Sequence, residues 1–189
     1  RSHHSFGLAY AVSPRGACHT ESPIFPIQSG GLYFPDIPEL ADEQSAMDSA
    51  GKAPFIIACQ DFGTFLTGCA VFCNLGISPL NASQSVEIVN HVTGFDYTID
   101  EVTDMGKRIW YLQRGISNLF GARDTDDRLP KRLMTPLEEG PSAGSVPDMD
   151  LMLKEYYALR KLTDEGIPEK EVLIKLDLPE LAELLYKGG

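Results

Sequence analysis

Apolar residues recur at three- and four-residue spacing through much of this sequence, which is the pattern of amphipathic α-helices. The first clear run opens at Pro54, a residue suited to the start of a helix, and continues to Cys73. Its apolar members are Phe55, Ile56, Phe62, Phe65, Leu66, Cys69, Ala70 and Cys73. No stretch of alternating apolar and polar residues predicts a sheet of more than two strands. The sequence therefore predicts an all-α, multihelical fold, with two small helical subdomains and long irregular connections.

The following helices are marked by their ends. A second helix is predicted over 84–91 and ends near Gly94, where glycine favours termination. A third follows the capping box formed by Thr98 and Glu101, and should continue to about Gly115. Its apolar face consists of Val102, Met105, Ile109 and Leu112.

Three shorter helices are predicted near the C-terminus. Asp148 or Asp150 caps the first, whose apolar face is Met152, Tyr156 and Leu159. Pro168 is placed to open the second helix, and Pro179 to open the last, over 180–186.

Prolines and glycines separate these helical regions. Prolines at 14, 23, 26, 35 and 38 allow only short elements, because proline removes a backbone donor and restricts the residue before it. We therefore divide the chain into an irregular segment 1–53, a first helical subdomain 54–120, a loop 121–147 and a C-terminal helical segment 148–189. Gly63 and Gly68 lie inside the first predicted helix and each cost about 1 kcal/mol relative to alanine. A close approach of another backbone or a ligand would explain them.

Charge and composition exclude several classes of protein. The 189 residues carry 16 Lys+Arg against 27 Asp+Glu, a formal charge of −11, which argues against nucleic acid or an anionic membrane as a partner. No apolar stretch reaches the length of a transmembrane helix, and the first residues do not have the order of a secretory signal. These features, with free cysteines, predict a cytoplasmic protein.

The four cysteines do not by themselves identify a site. Cys18, Cys59, Cys69 and Cys73 include no CxxC pair and are too sparse for a disulfide framework. On a helix, Cys69 and Cys73 would share one face, where the simplest reading is two small buried residues. A zinc protein that uses Cys69, Cys73 and a histidine is an alternative.

Five segments, in order along the chain, resemble the C-terminal region of tungsten-dependent aldehyde ferredoxin oxidoreductases. They read GLAYAVSPRGACH from Gly7, QDFGTFLTGCAVFC from Gln60, NHVTGFD from Asn90, GKRIW from Gly106 with DDRLPKR from Asp126, and YYALR from Tyr156 followed by DEGIP. The resemblance covers nearly the whole chain but only the C-terminal part of a family member. It implies an all-helical domain, in agreement with the helical periodicity.

The resemblance also implies a reaction and its cofactors. Family members hold tungsten, or molybdenum in its place, through two pterins, and a [4Fe–4S] cluster passes electrons to ferredoxin. The implied reaction is oxidation of a small aldehyde with water to a carboxylic acid, and segment 1–53 would face the cofactor. Three cluster cysteines lie upstream of the region present here. We therefore expect an upstream pterin-binding region or a companion subunit as the partner, and neither cofactor on this chain alone.

The resemblance implies roles at the cofactor site for three individual residues. Cys73 matches the fourth cluster cysteine, with Phe72 beside it as a cofactor-binding residue, and a thiolate is a suitable iron ligand. His19 matches a histidine that faces the tungsten cavity and is the candidate catalytic residue, since its ordinary pKa of about 6.5 suits proton transfer. A core cysteine and a histidine bonded within a loop are the alternative readings.

Other positions depart from the family pattern on the side that touches the pterin. Glu21 stands where the family can place a lysine, and Leu119 replaces a second arginine although Arg114 remains. Gly68 replaces an aspartate that bonds the pterin, and a glycine has no carboxylate to accept its N–H groups. These departures favour an alternative, a degenerate helical interaction module without redox activity. A second alternative comes from the family itself, one branch of which reduces aromatic acyl-CoA thioesters, because the resemblance does not separate the substrates. The acidic loop 124–127 favours solvated side chains over a divalent metal site.

Overall fold

The computed structural model describes residues 1–18, 20, 24, 27, 34–41, 45–73, 76 and 80–187. Within these ranges the backbone forms helices, turns and two isolated bridges, with no strand, so the predicted all-α class is confirmed. The helices are α1 (His4–Val12), α2 (Lys52–Thr64), α3 (Ala82–Thr93), α4 (Ile99–Leu119), α5 (Met149–Arg160), α6 (Lys170–Lys175) and α7 (Pro179–Tyr186). None of these described helices combines the length and apolar content needed to cross a membrane.

Helix α1 corrects the expectation that residues 1–53 are irregular. Its sequence, HSFGLAYAV, is apolar almost throughout and shows no one-sided periodicity. Seven of its nine residues are buried, including Leu8 and Val12. A helix surrounded by protein on most sides has no polar face to mark it, so its periodicity gives no signal.

Helix α2 starts two residues before the predicted Pro54, which occupies its first turn, where a missing N–H costs nothing. The helix then widens into a π-helical turn over Phe65–Cys69. In that turn the N–H of Ala70 donates to the carbonyl oxygen of Phe65 at 2.9 Å. The helical region therefore ends at Cys69, not at Cys73.

The predicted capping box of α4 and the predicted end of α3 near Gly94 are confirmed. Asn81 and Gln84 form a capping box at the start of α3, and Gly94 ends that helix in the left-handed conformation. At α4 the N–H of Glu101 donates to Thr98 Oγ1 at 3.2 Å, and Glu101 Oε2 accepts from the N–H of Thr98 at 2.8 Å. Both helices are longer than predicted, since α3 starts at Ala82 and α4 continues past Gly115 to Leu119.

Three predictions for the C-terminal helices have different outcomes. Asp148 caps α5 by accepting from the N–H of Leu151, and Pro179 is the first residue of α7, as predicted. The prediction that Pro168 opens a helix is wrong: α6 begins at Lys170, and Pro168 instead pairs with Leu162 in an antiparallel bridge. The bridge keeps Pro168 extended, so the helix starts after it.

Helix α4 crosses α2 through a glycine. A Cβ atom at Gly106 would lie 1.8 Å from the carbonyl oxygen of Asp61 and 3.0 Å from the backbone nitrogen of Phe65. Only a residue without a side chain permits this approach. Gly68, by contrast, has no close neighbour: a Cβ there would meet Thr64 Cγ2 at 3.8 Å.

The chain forms two compact units. One comprises Arg1–Cys18, Ala46–Ala53 and Trp110–Gly189; the other comprises His19–Ser45 and Pro54–Ile109. In the first, α1 packs on α5 and α6 packs on α7. The buried Arg160 guanidinium lies 4.0 Å from the Trp110 ring centroid, a cation–π contact within this core. In the second, the Phe34 and Phe62 rings meet edge to face at 5.3 Å.

Candidate functional site

The predicted cluster ligand, Cys73, lies just beyond the end of the helical region that begins with α2. After the π-helical turn, the N–H of Phe72 donates to the carbonyl oxygen of Leu66 at 2.8 Å and closes the helix end. Cys73 is the next residue and lies outside any regular secondary structure. Single π-turns of this kind often occur at functional sites, because they displace the residues that follow from the regular helix surface.

The environment of the cysteines overturns one expectation. Cys69 and Cys73 do not share a helix face and are not buried: both are exposed. The buried cysteine is Cys59, whose thiol pKa is raised well above its ordinary value by burial. A thiol held protonated is a poor metal ligand, because the thiolate is the binding form. Exposure therefore separates Cys69 and Cys73, which are accessible to a ligand, from Cys59, which is part of the core.

Val71, between the turn and Cys73, has a strained backbone. Its φ is +58°, in the left-handed region that a β-branched residue rarely adopts, and its side chain is 79% exposed. Glycine is the usual residue at such a helix end. A non-glycine residue in this conformation costs on the order of 1–3 kcal/mol, and strain of this kind clusters at ligand clamps and active sites.

An open apolar groove adjoins the same helix end. It has a volume of about 240 Å³. Its lining comes from the helix end and from the facing side of α3, and consists of Cys69, Ala70, Phe72, Ile88, Val89, Val92 and Thr93. Phe72, the predicted cofactor-binding residue, is half-buried and forms part of this wall. Phe72 and Cys69 therefore lie opposite α3 across the groove. Helical periodicity in the sequence did not indicate this proximity.

Two glycines lie near the candidate ligand in the sequence. A Cβ atom at Gly76 would lie 3.4 Å from the Cys73 carbonyl oxygen and 4.0 Å from its Sγ atom. Gly68 is exposed within the turn and has no side chain to bond a pterin. The Cys73 residue is exposed and so accessible to a ligand, while the pterin contact expected at position 68 has no side-chain donor or acceptor to form it.

Cys73 belongs to no group of three or more possible metal ligands among the described residues. Nowhere in the ranges that the structure describes do three or more His, Cys, Asp or Glu side chains come together as a metal site. The zinc alternative therefore gains no ligand group there. His19, the candidate catalytic residue, and Glu21 lie outside the described residues. The donor set fits one corner of a cluster whose other ligands come from elsewhere.

The acidic loop 124–127 contains a buried ion pair in the first compact unit, which corrects the expectation of solvated side chains there. Arg114 Nη1 and Nη2 donate to the two carboxylate oxygens of Asp127, both at 2.7 Å, and both side chains are at most 5% exposed. The Tyr157 hydroxyl donates to Asp127 Oδ2 at 2.5 Å, and Arg114 Nε donates to the Gly166 carbonyl oxygen at 2.9 Å. Asp124 and Asp126 are exposed, as expected.

Burial and charge act in opposite directions on this network. Burial disfavours the charged guanidinium of Arg114, but the hydrogen bonds and charge of Asp127 outweigh it and raise the Arg114 pKa. Burial, together with the hydrogen bond to Asp127, raises the pKa of Tyr157. These hydrogen bonds connect side chains of the loop, α4 and α5, so the network fastens the loop to both helices. Arg114 and Tyr157 lie too far from Asp127 along the chain for spacing to reveal the cluster.

His4 is a second buried polar group whose role could not be predicted from the sequence. Its Nδ1 lies 2.8 Å from Ser49 Oγ and its Nε2 lies 2.9 Å from Ser145 Oγ. Ser145 Oγ donates its single hydrogen to the Arg1 carbonyl at 3.0 Å, so it accepts from His4, and the neutral imidazole carries its proton on Nε2. Burial lowers the His4 pKa, and the charge of Lys52 lowers it further. His4 is thus a neutral structural residue that joins three chain segments.

Comparison with known proteins shows which protein family this sequence is similar to. The family model described as "Aldehyde ferredoxin oxidoreductase, domains 2 & 3" matches residues 1–178. A tungsten-containing aldehyde ferredoxin oxidoreductase of Pyrococcus horikoshii is 33% identical over 180 residues, and one of Pyrococcus furiosus is 34% identical over 178 residues. Each alignment covers 92% of this chain and 28% of the relative.

A more distant relative has a different name. The "Aliphatic sulfonate oxidoreductase, WOR-like subunit" of Pyrococcus furiosus is 30% identical over 183 residues, which cover 92% of this chain and 24% of that protein. The chain thus spans about a quarter of the length of the curated relatives that it matches.

Proposed function

Because the chain belongs to the aldehyde ferredoxin oxidoreductase family, of which it represents the C-terminal domains, we propose that it completes the active site of a tungsten enzyme that oxidises aldehydes. The reaction joins an aldehyde and water to give a carboxylic acid, two electrons and two protons. The electrons would leave through a [4Fe–4S] cluster to ferredoxin. Both cofactors would be held mainly by polypeptide outside these 189 residues, either an upstream region or a companion subunit.

The exposed position of Cys73 carries this proposal. It matches the family's fourth cluster cysteine and is exposed, so its thiolate is accessible to a cluster. When bound, a [4Fe–4S] cluster supplies one-electron transfer. Cys73 would contribute one thiolate, and the half-buried Phe72 would shield it from water. No step is assigned to the pterin through this chain, because Gly68 provides no group to hold it.

His19 keeps its proposed role as the proton carrier of the reaction. An imidazole with a pKa near 6.5 can accept a proton from water and release it near neutral pH. The support for this role is the sequence resemblance of residues 7–19 to the family. We propose that segment 1–53 brings His19 to the cofactor in the cytoplasmic enzyme.

The test is the iron content of the intact assembled protein. Cys73→Ser should lose iron and the visible absorbance of the cluster, because serine replaces the thiolate. Cys69→Ser is the matched control: it is also exposed and only four residues away, and it should keep its iron. If Cys73→Ser retains full iron content, the ligand assignment is wrong.

A second candidate is the degenerate, non-redox interaction module of the same fold. Gly68 favours it, because the exposed turn has lost the residue that would hold the pterin. Metal analysis separates the two: tungsten or molybdenum with four irons supports the oxidoreductase, and an assembly without these metals supports the module. Reduction of an aromatic acyl-CoA thioester is the alternative reaction, which substrate turnover by the metal-loaded protein would distinguish.

A further inference from the structure

The apolar face of α3 is only partly covered. Ser85, Val86 and Val89 are buried. Val92 lies one turn after Val89 on the same face, and Ile88 adjoins it, yet Ile88 is 38% exposed and Val92 is 81% exposed. A helix normally buries its apolar face, so the exposed end of this face, where it adjoins the groove, indicates that something else covers it.

The exposed apolar side chains of α3 and the residues that precede Cys73 form one continuous surface. Ile88 and Val92 line the groove together with Phe72, and Val71 is exposed beside them in the chain. We call Val71, Phe72, Ile88 and Val92 the apolar patch. The groove of about 240 Å³ within it is large enough for one or two side chains of a partner.

We propose that the apolar patch is the docking surface for the polypeptide that supplies the other cluster thiolates. This inference rests on the proposed function. One thiolate does not hold a cluster, and no group of possible ligands lies around Cys73 in the described ranges. The cysteines of one cluster converge on it, so the chain that carries them must run past Cys73. It would therefore cover the apolar side chains next to Cys73.

The size and charge of the chain support this occupant over a second copy of the same chain. Each alignment covers 28% of the relative, so most of the relative's sequence lies outside the region present here and is available to cover the patch. A second copy would bring another charge of −11, and like net charge opposes self-association. The lining of the groove within the patch contains no charged residue, as expected for a surface buried permanently against a partner.

Alkylation of Cys69 measures whether the patch is covered. Cys69 is exposed and lines the groove, so a docked partner should protect it from iodoacetamide in the intact assembled protein. Peptide mass mapping separates it from Cys73, and the buried Cys59 is an internal standard that should stay unlabelled. Val92→Asp should raise the rate of Cys69 labelling by about tenfold or more, since docking would bury an unpaired carboxylate.

His91→Asp is the matched control. It places the same carboxylate on the neighbouring exposed residue of α3, outside the groove lining, and should leave the labelling rate unchanged. Equal labelling of the two variants overturns the proposal, as does rapid labelling of Cys69 in the unaltered assembly. Protection that disappears on dilution, as copies separate, identifies a second copy as the occupant and also overturns it.

Val71→Gly tests the patch with a variant that is not expected to destabilise the fold, so a change in Cys69 labelling could not be caused by unfolding. Glycine adopts φ near +58° without strain, so this variant should melt at the same temperature or higher. Loss of the exposed side chain should nevertheless increase Cys69 labelling. If labelling stays unchanged, Val71 does not contact a partner and this part of the patch is wrong. Iron content of Cys73→Ser, measured separately, tests the cluster ligand alone, so the two proposals can fail independently.

Discussion

Replacement of Gly106 by alanine tests a helix contact that leaves no room for a side chain. The new methyl group would lie 1.8 Å from the carbonyl oxygen of Asp61, 2.9 Å from its carbonyl carbon and 3.0 Å from the backbone nitrogen of Phe65. All three atoms belong to the backbone of one helical segment, so none can rotate away. The two helices must therefore separate.

The size of that movement gives the expected cost. The shortest distance must grow from 1.8 Å to at least 3.0 Å, a separation of about 1.2 Å. A radial gap of that order forfeits a quarter to a half of the dispersion energy of the facing contacts, and overpacking costs about 1–3 kcal/mol. With backbone as the obstacle we take the upper value of about 3 kcal/mol. Alanine recovers about 1 kcal/mol through its higher helix propensity, which leaves a net loss of about 2 kcal/mol.

Native-state hydrogen exchange in the intact protein measures this loss locally. Amides of α4 should exchange about 30-fold faster in Gly106→Ala, the factor that corresponds to about 2 kcal/mol. Gly68→Ala is the control, because its Cβ would meet Thr64 Cγ2 at an ordinary 3.8 Å. It should leave exchange unchanged or slow it slightly. Wild-type exchange rates in Gly106→Ala would show that the crossing relaxes without cost and would refute the reasoning.

Two predictions concern the buried polar groups. Asp127→Asn should lower the free energy of unfolding by about 3 kcal/mol in urea denaturation, because the 2%-exposed Arg114 would keep its charge without a carboxylate partner. The control Asp124→Asn, at an exposed position, should change the free energy of unfolding by less than about 0.5 kcal/mol. Equal effects of the two substitutions would contradict the role assigned to Asp127. Because burial lowers the His4 pKa, the unfolded chain binds this proton more readily, so stability should fall as pH drops below about 6.5. His4→Gln should flatten this dependence in thermal melts, and an unaltered slope would assign it to other groups.

The helix ends that could be predicted are those specified by neighbouring residues. Thr98 caps through Glu101, three residues away, Asp148 caps through Leu151, and Pro179 occupies the first position of its own helix. Each signal lies within one turn of the feature that it marks. Such local interactions are the same in any tertiary context, so the sequence alone is sufficient to recognise them.

The features that could not be predicted depend on partners distant in sequence. Asp127 belongs to a charged loop and is buried only because Arg114, 13 residues before it, and Tyr157, 30 residues after it, enclose it. Helix α1 is apolar on nearly every side, so its periodicity carries no signal. The end of α2 depends on a π-turn, and helical spacing alone places Cys73 one turn further along a helix that has already ended. The roles of Cys73, Phe72 and His19 stay predictions that rest on the family resemblance.

The hydrogen bonds of His4 have a consequence for the order of events during synthesis. His4 Nε2 reaches Ser145, which lies 141 residues later in the chain. At the usual 5–20 residues per second, a ribosome needs on the order of 10 s to make that stretch. During this interval α1 has been made without the segment that contains Ser145, although Pro54–Ile109 is completed before Ser145 is reached. Helix α1 is therefore buried late relative to its own synthesis, which makes it an expected binding site for a chaperone during translation.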